Sequence, residues 1–409
     1  LASSALPAPA FTVAATSLQA QTGGDLLLDS LSASALTVGG LFAGSAEQRG
    51  NVVFRSLASA ANAADAALTV SDAIVAQGAD AIARLDAGGR QGQVVLGGAI
   101  ETTVSAELSS RLSMVRSADS AIILAASVIL HTATGSNAQV GSSASPLLTD
   151  MQGWGGSLGG NLDGSASVRE TSGDLRLSGL ALRSSDATRV LRLEAVGGAI
   201  RGTAPDSASD LMAGTVSLSA QGGIGAVASG STAADPLRIA TASSSAITLD
   251  AQAASGSLLL RAGGSVAVSA AGVAVTGNGA LSLDAEGSIT LATAGGLRTA
   301  TGAISVAARG GSFSQAAGVG TVQSAGGTID ILAGRDIIQA AGTSIRTTAS
   351  SAAGADVRLA SGQGLAGGIV LAEVLAGSGA VALIADGGSI ADADGATEST
   401  GADLSLIHI

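Results

Sequence analysis

The chain has 409 residues, a formal net charge of −12, 46 % hydrophobic residues and only 12 % charged ones. Its 59 Gly stand against 5 Pro, 4 Phe, 1 Trp and no Tyr or Cys. These figures exclude a broad core filled by aromatic rings, a disulfide or thiolate-metal framework, and a disordered polyelectrolyte. Every base is Arg, scattered along an acidic chain, which argues against a nucleic-acid partner.

No run of about 18 consecutive strongly apolar residues is present to cross a bilayer as a helix. The chain begins at Leu1, and no basic segment leads into an apolar run near it. At the other end LSLIHI (404–409) breaks off within a pattern begun earlier. Both ends predict an internal piece of a longer protein.

In chain order, the first strand candidates are VVF (52–54), LTV (68–70), VVL (94–96), IIL (122–124) and VIL (128–130). Between them, residues 57–86 are Ala-rich, and propensity alone would allow a helix there. His131 follows the VIL run and reads as an ordinary surface residue. Residues 135–165 are rich in Gly, Ser and Asn, hold the only Trp (Trp154), and predict a loop or lateral excursion. From Leu191/Leu193 and Val216/Leu218 onward an apolar-x-apolar pattern sets in. The stretch 222–252 reads as a Gly-Gly-Ile-Gly turn, a polar excursion, and a return to strand through Leu237/Ile239 and Ile247/Leu249.

The pattern is clearest from residue 258. Paired apolar residues recur as Leu258/Leu260, Leu281/Leu283, Ile304/Val306, Ile329/Ile331, Val357/Leu359, Val381/Leu383 and Leu404/Leu406, at intervals of 23, 23, 25, 28, 24 and 23. The residue between each pair varies, as expected of a strand with one buried face. A glycine follows each pair within a few residues (Gly263, Gly287, Gly310, Gly334, Gly362, Gly387), and the expected reason is a sharp turn with φ above zero. A second apolar pair follows at Val266/Val268 and Ile289/Leu291, with Ile337 and Ile390 as partial matches. The rung from Ile304 slips, offering Phe313 where Ser312 would be in register. A third apolar point follows at Val273, Leu297, Val319 and Ile345.

Each repeat therefore holds three short strands separated by turns. Three such strands cannot bury their apolar face alone, but coil stacked on coil can. The prediction is an all-β, right-handed parallel β-helix with about 23 residues per coil, hence roughly 15–18 coils. Residues 1–190 read as an irregular segment of this solenoid with loop excursions, the main one at 135–165, and 191–409 as its regular repeats.

The run LSLDAEGSITLATAGGLRTATGAISVAARGG (281–311), with GGIG…DPLRI and LIADGGSIADADG, resembles the repetitive passengers of filamentous-haemagglutinin-like adhesins and related autotransporters. The resemblance covers about residues 190–409. It implies a parallel β-helix on the surface of a Gram-negative bacterium, secreted or anchored at the outer membrane as a stalk that contributes to adhesion. It also implies surface glycans or proteins of a host or neighbouring cell as partners, and an outer-membrane secretion partner for the full-length protein. The route, two-partner or autotransporter, stays open. Any recognition is expected on irregular excursions, 135–165 first and 340–356 second.

Motifs with chemical meaning have weaker claims. GGSLG (155–159) matches a nucleophile elbow, but the only downstream His is His408. GQGLAG (362–367) matches a dinucleotide fingerprint without the amphipathic helix that must receive the pyrophosphate. GGTIDILAG (326–334) places its Asp one residue early for a tandem calcium repeat, and ADADGATES (391–399) lacks the closing Glu of an EF-hand. Thr299, Thr301, Thr347 and Thr348 hint at a flat threonine patch without a regular ladder. The carboxylate pairs Asp284/Glu286 and Asp392/Asp394 keep one alternative open, a carbohydrate-active β-helix enzyme. Arg261 lies one coil from Asp284 and reads as its cross-strand charge partner. The sequence thus predicts a non-catalytic protein, and no catalytic, cofactor-binding or metal-binding residue is assigned.

Overall fold

The computed structural model describes residues 11–31, 35–56, 67–87, 92–151, 156–183, 188–203, 208–227, 234–241, 245–292, 294–318, 320–347 and 354–393. All regular structure among them is β-strand. Among the described residues the fold is a parallel β-solenoid of about 14 turns, about 24 residues apart. The 15–18 coils expected are reckoned over all 409 residues at the basic period, whereas both ends lie outside the described residues and several coils are longer. The chain divides into two compact units, Leu1–Arg183 and Ser184–Ile409.

In the second unit the coil has three sides. The first ladder stacks Leu237–Ala240, Leu258–Ala262, Leu281–Ala285, Ile304–Ala308, Ile329–Ala333, Val357–Ser361 and Val381–Ala385, each parallel to the next. Its register is the one the repeat implies, with Leu258, Leu281, Ile304, Ile329, Val357 and Val381 in one column. The paired apolar residues from Leu258 to Leu359 are each at most 1 % exposed. Each such side chain contributes about 1.5–3 kcal/mol by leaving water. Val381 is 44 % exposed, because its strand has a partner on one side only among the described residues. Leu404 and Leu406 lie outside the described residues.

The long strand Val266–Val275 serves the other two sides. Its first half pairs with Ile289–Leu291, its second with Leu297–Thr299. Phe313 does not slip. It takes the inward place between Ile289 and Ile337, since the turn before it, with Gly310 and Gly311, absorbs one extra residue. On the third side the inward column runs Val273, Leu297, Val322, Ile345 and Val374. Val322 fills the place expected of Val319, which lies outside the described residues.

The six turn glycines divide by cause. Gly362 and Gly387 have φ of 76° and 71°. Gly263, Gly287, Gly310 and Gly334 do not adopt positive φ. The expected turn geometry is wrong for these four, and close stacking is the reason for at least Gly334. A Cβ there would run into the carbonyl oxygen of Arg309, one coil back.

The first unit follows the same plan with uneven steps. On its first ladder Leu28 lies beside Phe54, Phe54 beside Leu85, Leu85 beside Leu108 and Leu108 beside Leu130. The last two of these steps keep close to the basic period, while the coil from Phe54 to Leu85 is much longer. Beyond them a long coil, from Val128 to Leu158, is followed by a short one, from Leu158 to Leu177. The helix allowed by propensity over 57–86 is not found where that stretch is described: Ala67–Val70, Ile74–Ala76 and Ile82–Ala87 are strands. In the first and last of these, buried and half-buried residues alternate, so stacking overrides helix propensity.

The stretch 135–165 also departs from expectation. Val140 bridges Met114 and Ala166, Leu147–Asp150 lies between two parallel neighbours, and Leu158–Leu162 sits in the first ladder. Its described residues belong to coils rather than to an excursion, and 152–155 lie outside the described residues. A lateral feature is found instead within 222–252, where Ala226–Val227 and Ala234–Asp235 form an antiparallel pair. It lengthens its coil, which runs from Ile224 to the bridged Leu258, well beyond the basic period.

Leu283→Asp should bury an unpaired carboxylate and cost at least ~3 kcal/mol, whereas Ser282→Asp on the outer face should be nearly silent. Equal shifts in thermal midpoint would contradict the inward assignment of Leu283. Gly334→Ala should destabilise by about 1–3 kcal/mol through the steric conflict with Arg309. Gly214 has open space around its Cβ position and no positive φ. Gly214→Ala is therefore expected to be neutral, or stabilising by up to ~1 kcal/mol, in the same denaturation series.

Candidate functional site

Because every coil repeats the backbone of the last, side chains on the outer face fall into columns along the ladder, one per strand, about 4.8 Å apart. Most charged positions on the first ladder are neutralised within such columns. Arg309 donates from Nε and Nη2 to the two carboxylate oxygens of Asp284, at 2.6 and 2.7 Å. Arg261 donates to Glu286 at 2.9 Å and lies 4.0 Å from Asp284. The pair anticipated between Arg261 and Asp284 is thus one edge of a wider network with Glu286 and Arg309. Asp330 of the GGTIDILAG stretch meets Arg358 at 3.4 Å. In the first unit Arg55 grips Asp29 through two bonds of 2.7 Å. Exposed pairs of this kind contribute about 0.2–1 kcal/mol each. Their main effect is to leave the acids already engaged.

One column differs. Asp86, Ser109, His131 and Asn161 stand in register on four consecutive strands of the first unit: Ile82–Ala87, Ser105–Ser110, Ser127–Thr132 and Leu158–Leu162. All four are half-buried. Among the described residues, none of these side chains makes a hydrogen bond or an ion pair. The neighbouring column holds Arg84, Glu107 and Ile129, with Arg84 3.4 Å from Glu107. The Nε of Arg84 is buried without a hydrogen-bond partner.

Burial pushes the Asp86 carboxyl above its ordinary range; Glu107 adds to the effect, while Arg84 and Arg55 oppose it. Burial likewise pushes the His131 imidazole down, with Glu107 opposing and Arg183 and Arg84 reinforcing. Burial thus opposes the charged form of each group. Neutral imidazole offers one donor and one acceptor, and Ser and Asn each offer both. The column presents mixed hydrogen-bonding capacity at regular intervals.

The sequence alone reads His131 as an ordinary surface residue and does not single out Asp86 or Ser109. The signal was present: IARLDA, SAELSS and SVILHT align position for position, strand on strand, at close to the basic period. The other sequence candidates fall elsewhere. In GGSLG, residues 156–159 run straight into the strand Leu158–Leu162, with no helix to complete a nucleophile elbow, and Gly155 lies outside the described residues. GQGLAG forms the turn between Val357–Ser361 and Gly367–Leu371. Thr299 and Thr347 point inward, at 6 % and 0 % exposure, so they form no outer array; Thr301 is outside on the turn, and Thr348 lies outside the described residues. Asp392 ends the strand Gly387–Asp392, while Asp394, Trp154 and His408 lie outside the described residues. Of 340–356, Ser344–Arg346 is a third-side strand and 348–353 lie outside the described residues.

No helix among the described residues is long and apolar enough to cross a membrane, and none of their His, Asp and Glu form a group of three able to hold a metal ion. No family model, characterised protein or solved structure matches the chain.

A further ionisable group lies inside the first unit. Glu170 is fully buried, at an inward position beside Thr149. Thr149 donates its hydroxyl proton to Glu170 at 2.8 Å, and the Met151 N–H donates at 2.9 Å. Burial outweighs these bonds and pushes the carboxyl up to about 7, with Asp150 adding to the rise. Between the ordinary carboxyl range and pH 7 the folded chain therefore holds a proton that the unfolded chain has released. Stability should fall as pH rises from about 4 to about 8, by a total of about 3 kcal/mol. Glu170→Gln keeps an acceptor for Met151 and carries no charge. Chemical denaturation across pH 5–8 should show the slope in the parent chain and a flatter line in the variant; identical slopes would remove Glu170 as the cause.

Proposed function

We propose that the chain is a structural and adhesive stalk segment of a secreted or surface-anchored bacterial protein of the filamentous-haemagglutinin-like type. The observation that carries this reading is the unbroken register of the first ladder from Leu237 to Ala385, with its inward column all but fully buried as far as Leu359. Such a stack gains stiffness from hydrogen bonds repeated along its length and needs no disulfide to hold it. A chain without Cys can also cross an envelope unlinked before it folds. In this setting the full-length protein works at the outer-membrane surface of a Gram-negative cell, with an outer-membrane secretion partner and with glycans or proteins of other cells as targets. The net charge of −12 disfavours nucleic acid among them.

A carbohydrate-active enzyme is the second reading. It is favoured by one observation, that Glu107 reinforces the upward push on the half-buried Asp86 carboxyl one strand away. A raised acid beside a second carboxylate is what glycoside chemistry uses.

Beads coated with the purified chain should be retained on epithelial or bacterial cell layers several-fold above albumin-coated beads. The same chain incubated with a panel of plant, bacterial and host polysaccharides should release no new chain ends. Retention at the albumin level together with polysaccharide cleavage would reverse the order of the two readings.

A further inference from the structure

We propose that the outer column Asp86–Ser109–His131–Asn161 is a binding strip for a linear, uncharged saccharide chain lying along the ladder. The proposal rests on the adhesive reading only for its biological setting. Three observations carry it. First, this stretch of the column is uncommitted: Asp29, two steps before Asp86 in the same column, is taken up by the intervening Arg55, and acids elsewhere on the described first-ladder face, such as Asp284 and Asp330, are likewise taken up by Arg, whereas these four side chains have no hydrogen-bond partner among the described residues. A half-buried polar group without a partner has lost part of its hydration, and a ligand that restores the bonds recovers that loss.

Second, the spacing is that of a repeating ligand. Register places one polar side chain on each of four successive strands, about 4.8 Å apart. A pyranose unit is of similar length, so successive sugars can meet successive strands.

Third, the chemistry suits hydroxyl groups. A sugar hydroxyl both donates and accepts. Asp86 accepts, while Ser109, His131 and Asn161 each do both. The flanking column offers the Arg84 guanidinium as a donor and the Ile129 side chain as an apolar rest for a ring face. An acidic saccharide is disfavoured, because Asp86 and Glu107 would face its charge. A cationic peptide is disfavoured by Arg55, Arg84 and Arg183 around the strip.

The test is calorimetric titration of the full chain with cellohexaose, chitohexaose and maltohexaose, and with a hyaluronan hexasaccharide as the acidic arm. At least one neutral hexamer should bind with a dissociation constant in the millimolar range or tighter. The double variant Ser109→Ala/His131→Ala should weaken that binding at least tenfold, with thermal midpoint and circular dichroism unchanged. His131→Gln, which keeps a donor and an acceptor, should retain most of it. Ser305→Ala, on the outer face of the second unit, should change nothing. Absence of neutral-hexamer binding, equal affinity in the double variant, binding of the acidic arm alone, or cleavage of a hexamer would each overturn the strip. Cell retention of beads that survives the double variant overturns it while sparing the adhesive reading. Hexamer binding that depends on the strip, by a chain whose beads are not retained, does the reverse.

Discussion

The structure depends on one constraint: neighbouring coils must hydrogen-bond in parallel at a fixed separation of about 4.8 Å along the whole ladder. A side chain has that much height and no more before it meets its counterpart on the next coil. Inward columns must then be of like shape, which is why Leu, Ile and Val repeat above one another from Leu258 to Leu359. The same limit acts on the turns. Where backbone passes over backbone, even a methyl group conflicts, as at Gly334 over Arg309. The glycines at such crossings and the repeated aliphatic columns are two consequences of a single spacing.

Corners pose a second problem, since the chain must turn while its carbonyl groups stay bonded. Buried hydroxyl and amide side chains at the strand ends meet this need. Ser110 donates to the carbonyls of Gly92 and Ser113, both at 2.8 Å. Thr299 and Ser324 both donate to the carbonyl of Gly302, at 2.6 and 2.9 Å. Gln315 and Gln339 stack in register on the second side, each donating to a carbonyl. A buried carbonyl left unbonded costs about 1–3 kcal/mol, so these polar residues inside the coil stabilise it as surely as the aliphatic ones. Glu170 occupies a comparable inward place with a titratable group, which makes its coil the pH-sensitive one.

Sequence patterning finds strands in both units, since VVF, LTV, VVL, IIL and VIL of the first all fall within strands, but it finds the period only in the second, and the difference is one of coil length. From Leu260 onward the first-ladder steps are nearly constant, so aligned triplets stand out. In the first unit long coils such as Phe54 to Leu85 and short ones such as Leu158 to Leu177 hide the same ladder from any fixed period. Ala-rich segments such as 67–87 mislead because alanine favours helices in isolation, yet here it is the small residue that a thin core admits. The loop-like composition of 135–165 misleads for a related reason: Gly and Ser are turn formers on their own and tight-stacking residues in a solenoid. The Arg309–Asp284 pair is not legible in the repeat because it runs diagonally: Arg309 lies in the turn just past the strand Ile304–Ala308, two residues beyond the register partner Ala307. Asp86, Ser109 and His131 were legible only after their three strands were aligned, which the irregular neighbours discouraged.

A solenoid also changes where function is written. In a compact enzyme, distant loops converge on one pocket, and short motifs mark the pieces. In a stack of like coils the backbone brings together residues one period apart, so a site is a column and its signature is a recurrence of polar residues at the coil spacing. That explains why GGSLG and GQGLAG, both read as local motifs, belong to turns and strand starts. It also gives the charge pairs on the outer face a second meaning. A column of alternating Arg and carboxylate satisfies itself and has little left to offer a ligand. A column of polar groups held half out of water and unbonded keeps its full capacity. On a surface whose spacing is uniform, recognition is set by which columns are left unsatisfied, and changing one outer residue per coil can alter it without disturbing the aliphatic stack beneath.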